Sequence, residues 1–179
     1  MVSKIEKAVC EIMFSLGIEL TDGNKDTPVR YAKFITKFCN PEKPKITTFE
    51  VKSDEVLIKG LRVNSLCEHH ILPFFGEAAI CVLPNKKTNR VLGLSKFQRI
   101  VTYCSNGLKT QEQITQDIGK MISEILSPEG FIIALKCTHT CMTLRGVESV
   151  NSETLTCMAE GTYNCTEAKM TFLLHSFTK

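Results

Sequence analysis

The chain has 179 residues, 43% of them hydrophobic and 23% charged, with a net charge of +3 from 22 basic and 19 acidic residues. This is ordinary globular composition with enough length for a buried core, and it excludes both disorder and a nucleic-acid binder that works by bulk charge. No apolar run approaches the ~20 residues that span a bilayer, and the opening Met1-Val2-Ser3-Lys4 lacks a signal-peptide core, so a cytoplasmic protein is expected. The nine cysteines, an odd number, read as reduced thiols rather than a disulfide framework.

Ser3 with Glu6 makes a capping box for a first helix. Ile5, Val9, Ile12, Met13 and Leu16 form its apolar stripe, and Gly17 ends it. Thr27 as N-cap and Pro28 as first helical residue open a second helix, whose buried face is Tyr31, Phe34, Ile35 and Phe38. Arg30 and Lys33 form a basic pair on it, which on the residues alone is a solvated edge. From Ile46 the period changes to two. Strands are expected over Ile46 to Lys52, Glu55 to Asn64 and Gly76 to Leu83. A helix then starts at Leu94, capped by Ser95 with Gln98, and turns Phe97, Ile100, Val101 and Cys104 inward. Lys96 and Arg99 stand near its N-terminus, where free N–H groups favour an anion, although two exposed cations are the plainer reading.

Thr110 with Gln113 opens the next helix, with Ile114, Ile118, Met121, Ile122 and Ile125 as its core face. Gln111 and Glu112 lie in its first turn, where the helix dipole alone accounts for a glutamate. Phe131 to Met142 reads as a strand, and Thr154 to Ala159 and Met170 to His175 as shorter final strands. Helices and strands mix without regular βαβ alternation, so the expected class is α+β with an antiparallel sheet. One domain, 1–179, is expected, with a helical part over 1–45 and a sheet-bearing core over 46–179.

Three of the four histidines fall in two short cysteine-bearing segments, Cys67-Glu68-His69-His70 and Cys137-Thr138-His139-Thr140-Cys141. On a helical turn Cys67 and His70 face the same way; on a strand Cys137, His139 and Cys141 share one face. A soft divalent ion such as Zn²⁺ would take Cys67, His70 and one cysteine of the second segment, leaving a fourth position for water. His69 and His139 would stand beside it as proton donors and acceptors. The plain alternatives are a structural zinc knot or core cysteines. The clustering of three histidines with cysteines weighs against both.

The sequence resembles GTP cyclohydrolase I. The resemblance covers most of the chain and rests on Thr27-Pro28-Val29-Arg30-Tyr31-Ala32-Lys33, Cys67-Glu68-His69-His70, Gly93-Leu94-Ser95-Lys96 with Arg99, Gln111-Glu112, and His139-Thr140-Cys141 followed by Arg145-Gly146. It implies hydrolytic opening of the GTP imidazole ring at C8, loss of formate, ribose rearrangement and reclosure to 7,8-dihydroneopterin triphosphate. By resemblance, Cys67, His70 and Cys141 are ligands of one zinc ion per subunit. His139 protonates the purine at N7. His69 and Ser95 lie near the ribose, with His69 acting in its rearrangement. Glu112, with Gln111 beside it, anchors the guanine edge. Lys96, Arg99 and Arg145, with Arg30 and Lys33, hold the triphosphate, and Glu68 supports the site. The implied fold is the tunnelling fold: N-terminal helices, then a four-stranded antiparallel sheet with two helices. Subunit sheets would join into a barrel, in a decamer of two pentamers with active sites at subunit interfaces.

The chain departs from that pattern at Gln113, where arginine is common, in a longer loop over 84–92, and in the extra thiol Cys137. No long N-terminal regulatory extension is expected. The rival readings are a pterin epimerase or deazaguanine nitrile reductase on the same fold, a non-catalytic GTP-binding zinc protein, and a structural zinc protein. The full set Cys67, His70 and Cys141 opposes the first, and His69 with His139 opposes the second.

Overall fold

In a computed structural model, residues 2–177 are described, except the side chain of Val2. The outermost expected domain limits, Met1 and Lys179, lie outside the described residues, as does Thr178. The chain divides into two compact units, one ending at Pro41 and the other beginning at Glu42.

The first unit is a helix pair, α1 (Val2–Ser15) and α2 (Thr27–Cys39). Ser3 lies inside α1 rather than capping it. The far end follows expectation: Gly17 has φ +71°, its N–H bonds Phe14 O at 2.9 Å, and Ile18 N bonds Met13 O at 2.9 Å. This paired closure satisfies the last carbonyls of the helix. Of the expected stripe, Met13 is buried, whereas Ile12 and Leu16 are exposed. Helix α2 starts one residue early, with Asp26 at the N-cap position, because Arg30 N already bonds Asp26 O at 2.9 Å. Its buried residues are Pro28 and Ala32, not the aromatic face. Tyr31, Phe34 and Phe38, spaced three and four apart, run along the helix surface with ring centroids 6.2 and 5.3 Å apart.

The second unit carries β1 (Thr48–Glu50), β2 (Val56–Cys67), β3 (Pro73–Leu83), β4 (Arg90–Leu92), α3 (Leu94–Ser105), β5 (Leu108–Lys109), α4 (Gln111–Leu126), β6 (Gly130–His139), α5 (Thr140–Thr143), β7 (Thr154–Gly161) and α6 (Thr166–Ser176). Strands β2, β3, β6 and β7 form the expected antiparallel sheet. The short β5 adds a fifth, parallel edge beside Leu66 and Cys67, giving the order β5-β2-β3-β6-β7. Strands β1 and β4 make a separate ribbon. The segment expected as a last strand over Met170 to His175 is helix α6. The thiol of Cys165 caps it, accepting from Ala168 N at 3.5 Å.

Side-chain parity sets what faces what. On β6, Phe131, Ile133, Leu135 and Cys137 join the main core with Phe97, Ile100 and Val101 of α3 and Ile114, Ile118 and Ile122 of α4. Ile132, on the other face, packs with Cys81 and Phe172. Strand β6 is thus covered on both faces, which is why it reads as an unbroken apolar run. Each fully buried side chain of this kind contributes about 1.5–3 kcal/mol. On β2 a bulge between Ile58 and Leu61 shifts the register, and Gly60 occupies it at φ +69°. The extra residue switches parity, so Val56 and Ile58 before it and Leu61, Val63 and Cys67 after it all reach the same core.

Helix α3 begins after Gly93, so Ser95 lies in its first turn rather than at the cap. Gln98 instead grips the backbone of Arg62, accepting from its N at 2.8 Å and donating to its O at 2.9 Å. Thr110 caps α4 as expected, accepting from Gln113 N at 3.1 Å. Among the described residues no helix is long and apolar enough to cross a membrane.

Candidate metal centre

The core parity carries Cys67, at the end of β2, to the helix-covered face of the sheet. The chain then turns tightly. Ile71 N bonds Cys67 O at 2.8 Å, Ile71 takes φ +55°, and Cys67 N bonds Leu72 O at 2.8 Å. This folds His70 back over Cys67, with Nδ1 3.7 Å from Sγ.

The second segment does not continue as a strand. Strand β6 ends at His139, and Thr140 donates its hydroxyl to Pro73 O at 2.6 Å. The chain then makes the single helical turn α5, which holds Cys141. The expected alternation of Cys137, His139 and Cys141 along one strand therefore fails, and this separates the two cysteines. Cys137 is 1% exposed in the core, and burial pushes its thiol up to about 12. Cys141 swings to the site instead. Its Sγ, Cys67 Sγ and a ring nitrogen of His70 all lie within 4.8 Å of one another.

That donor set fits a tetrahedral transition metal. Ligands at zinc–sulfur and zinc–nitrogen bond lengths sit about 3.5–3.8 Å apart around one ion. Burial raises the Cys141 thiol, the adjacent Cys67 thiol raises it further, and Arg145 opposes both. A divalent cation between the sulfurs would relieve that cost.

His139 sits beside this group at the end of β6. Its Nε2 is 2.9 Å from Gln111 Oε1, and its ring stacks on Phe74 with centroids 4.4 Å apart and planes 10° apart. Burial holds its pKa below the usual imidazole value, and Glu112 pulls it back up. His69 is its opposite. It is 65% exposed, its Nδ1 lies 3.6 Å from Cys67 Sγ, and its Nε2 lies 3.9 Å from a Glu68 oxygen.

The remaining expected site residues are less gathered. Ser95 and Lys96 occupy the first turn of α3 and Arg99 the next, with no side-chain cap at Gly93. Glu112 is exposed in the first turn of α4. Gln111, expected at the guanine edge, is 1% exposed, with its amide spent on His139, Leu135 O, Thr154 O and Thr156 Oγ1. Arg145 follows α5 and is exposed. Arg30 and Lys33 belong to the first unit, where both are exposed and Arg30 pairs with Asp26 at 3.2 Å. Gln113 bonds Asp117 at 2.6 Å, and Lys109 holds the same carboxylate at 2.8 Å. Phe74 carries no sequence motif; only the register that pairs it with His139 reveals it.

A Cys–His–Cys group flanked by two further histidines, at the end of an α+β sheet, defines a candidate metal centre with acid–base groups to hand. The sequence model of GTP cyclohydrolase I matches residues 5–176, and the chain belongs to that family. It is 37% identical over 167 residues to GTP cyclohydrolase 1 of Streptococcus agalactiae serotype V, covering 89% of this chain and 88% of the relative. It is 34% identical over 181 residues to GTP cyclohydrolase 1 of Saccharomyces cerevisiae, covering 96% of this chain and 73% of the relative. It is also 38% identical over 181 residues to the bifunctional protein FolKE of Lactococcus lactis, with 96% of this chain covered but only 51% of that protein, so the chain spans about half of that relative's length. Among solved structures, the apo archaeosine synthase QueF-Like shares the fold, with a TM-score of 0.50 at 15% identity over 62% of this chain and 97% of that one.

Proposed function

We propose that this chain is a zinc-dependent GTP cyclohydrolase I, which opens the GTP imidazole ring at C8, releases formate and recloses the product to 7,8-dihydroneopterin triphosphate. The observation that carries the reading is the convergence of Cys67, His70 and Cys141 within 4.8 Å, next to a half-buried histidine. Family membership supports GTP as substrate.

Cys67, His70 and Cys141 would hold the zinc. When bound with an open fourth position, such an ion supplies Lewis-acid chemistry and lowers the pKa of water near neutrality. The chain's own groups do the rest. His139 delivers a proton to the purine at N7. Its lowered pKa makes its imidazolium a stronger acid than a free one. His69, on a solvated turn, serves the ribose, with Ser95 acting alongside it. Glu112 accepts hydrogen bonds from the guanine edge. Lys96 and Arg99 join the uncapped first turn of α3 to form an anion site for the triphosphate, and Arg145 adds charge to it. Glu68, near His69, supports the turn.

The tunnelling-fold barrel, the decamer of two pentamers with active sites between subunits, and a cytoplasmic location belong to the same reading. Among the described residues β7 is an edge strand of the sheet, and this supports the assembly, since a sheet edge favours a neighbour's strand. The test is to incubate the purified chain with GTP and measure formate together with a fluorescent pterin after oxidation. Both products are expected. A zinc-loaded, folded protein that yields neither would overturn the proposal in favour of a non-catalytic GTP binder.

A further inference from the structure

Gln111 lies too deep for its side chain to meet a ligand, yet every polar atom of its amide is used. The protons of its network can be assigned one after another. Thr115 Oγ1 donates its single proton to Gln111 O at 2.9 Å. At its 2.7 Å contact with Thr156 Oγ1 it must therefore accept. Thr156 has then spent its own proton, so it accepts from Gln111 Nε2 at 3.1 Å. The same Nε2 faces Leu135 O at 3.2 Å and Thr154 O at 3.0 Å, and carbonyls only accept. All three neighbours require the amide nitrogen on that side. Gln111 Oε1 is thereby turned to His139 Nε2 at 2.9 Å, and an amide oxygen can only accept. His139 Nε2 must carry the hydrogen. The Phe74 ring, 1% exposed itself, lies against the imidazole face and fixes its plane.

We propose that Gln111 is a positioning residue: it locks His139 in the Nε2–H tautomer and leaves Nδ1 as the nitrogen that exchanges a proton with substrate. The inference rests on the reading of His139 as the proton donor to the purine. A histidine free to change tautomer or rotate would present the wrong nitrogen part of the time. Four polar contacts and one ring stack remove both freedoms.

Gln111 also ties the start of α4 to β6 and β7, so the test must separate positioning from structure. It uses the zinc-loaded full chain in three forms: unaltered, Gln111→Met and Thr156→Val. The valine variant loosens the same buried network but leaves the bond to His139 intact. Ring-nitrogen NMR of labelled histidine reads the tautomer, and steady-state turnover of GTP reads the consequence. The unaltered chain should show His139 as the Nε2–H form. Gln111→Met should show mixed tautomers, with kcat down about 100-fold and KM within about threefold. Thr156→Val should keep the tautomer and keep kcat within about threefold. An Nδ1–H tautomer in the unaltered chain would overturn the proposal. So would a folded Gln111→Met that keeps tautomer and turnover, or a Thr156→Val that loses as much as Gln111→Met. If Gln111→Met fails to fold, the unaltered spectrum and Thr156→Val decide. If the unaltered chain releases no formate from GTP, the proposed function fails, while the spectrum still judges the tautomer.

Discussion

His139 and His69 flank the same three donor atoms, yet one ends strand β6 and the other rides the turn that leaves β2. His139 is held by a stacked ring on one face and an amide at its edge. His69 is 65% exposed, with Cys67 Sγ 3.6 Å from its Nδ1 and a Glu68 carboxylate oxygen 3.9 Å from its Nε2. The two histidines divide the labour. A group built on paired strands arrives fixed in place and direction. A group on an exposed turn has more of its surface in water and fewer packed neighbours. The metal ligands straddle this line: Cys67 belongs to the sheet, whereas His70 and Cys141 sit on turns and would be drawn together by the ion.

The largest effect is expected at the ligands. Cys67→Ser or Cys141→Ser should lower metal affinity by more than the ~10–100-fold typical of outer-shell partners and abolish formate release with it. Metal analysis after dialysis, beside the formate assay, checks this. His139→Ala should keep its metal but lose about 10³–10⁴-fold in ring opening, read as formate release. Retained zinc with full turnover would sink the role given to His139. His69→Ala should keep both metal and fold, with a melting free energy within about 0.5 kcal/mol of the unaltered chain, as expected at an exposed site. Its turnover should fall about 100-fold, with product assembly from the opened ring affected more than formate release. A structural zinc protein would show no change at all. The smallest effect is expected at Gln113→Arg. Arginine there would compete with Lys109 for Asp117, and KM for GTP should move by less than about threefold.

The same contrast explains what was legible in the sequence. Helices α3 and α4 were readable because their apolar faces follow the helical period against one sheet; Phe97, Ile100, Ile114 and Ile118 are all buried. Strand β6 was readable as a long apolar run. Helix α6 was not, because Met170 and Leu174 stay exposed and Ser176 alone of its residues is buried, so no periodic face marks it. Strands β4 and β5 are too short, at 3 and 2 residues, to carry a period. In the site, Cys67, His70 and one cysteine of the second segment were legible as a possible ligand set. The choice of Cys141 over Cys137 was not fixed by residue spacing, because it depends on β6 ending at His139 and on Thr140 reaching across to Pro73. The place of Gln111 was hidden for a similar reason: its partners are 24 to 45 residues away and come together only through strand pairing.

A working metal centre at the Cys–His–Cys group would make formate release depend on the bound ion. The most direct measurement is formate release from GTP by the unaltered chain after its metal has been stripped, and again after Zn²⁺ is restored. Release should stop on stripping and return with the ion, in proportion to the zinc bound. Formate production that continues in verified metal-free protein would contradict it.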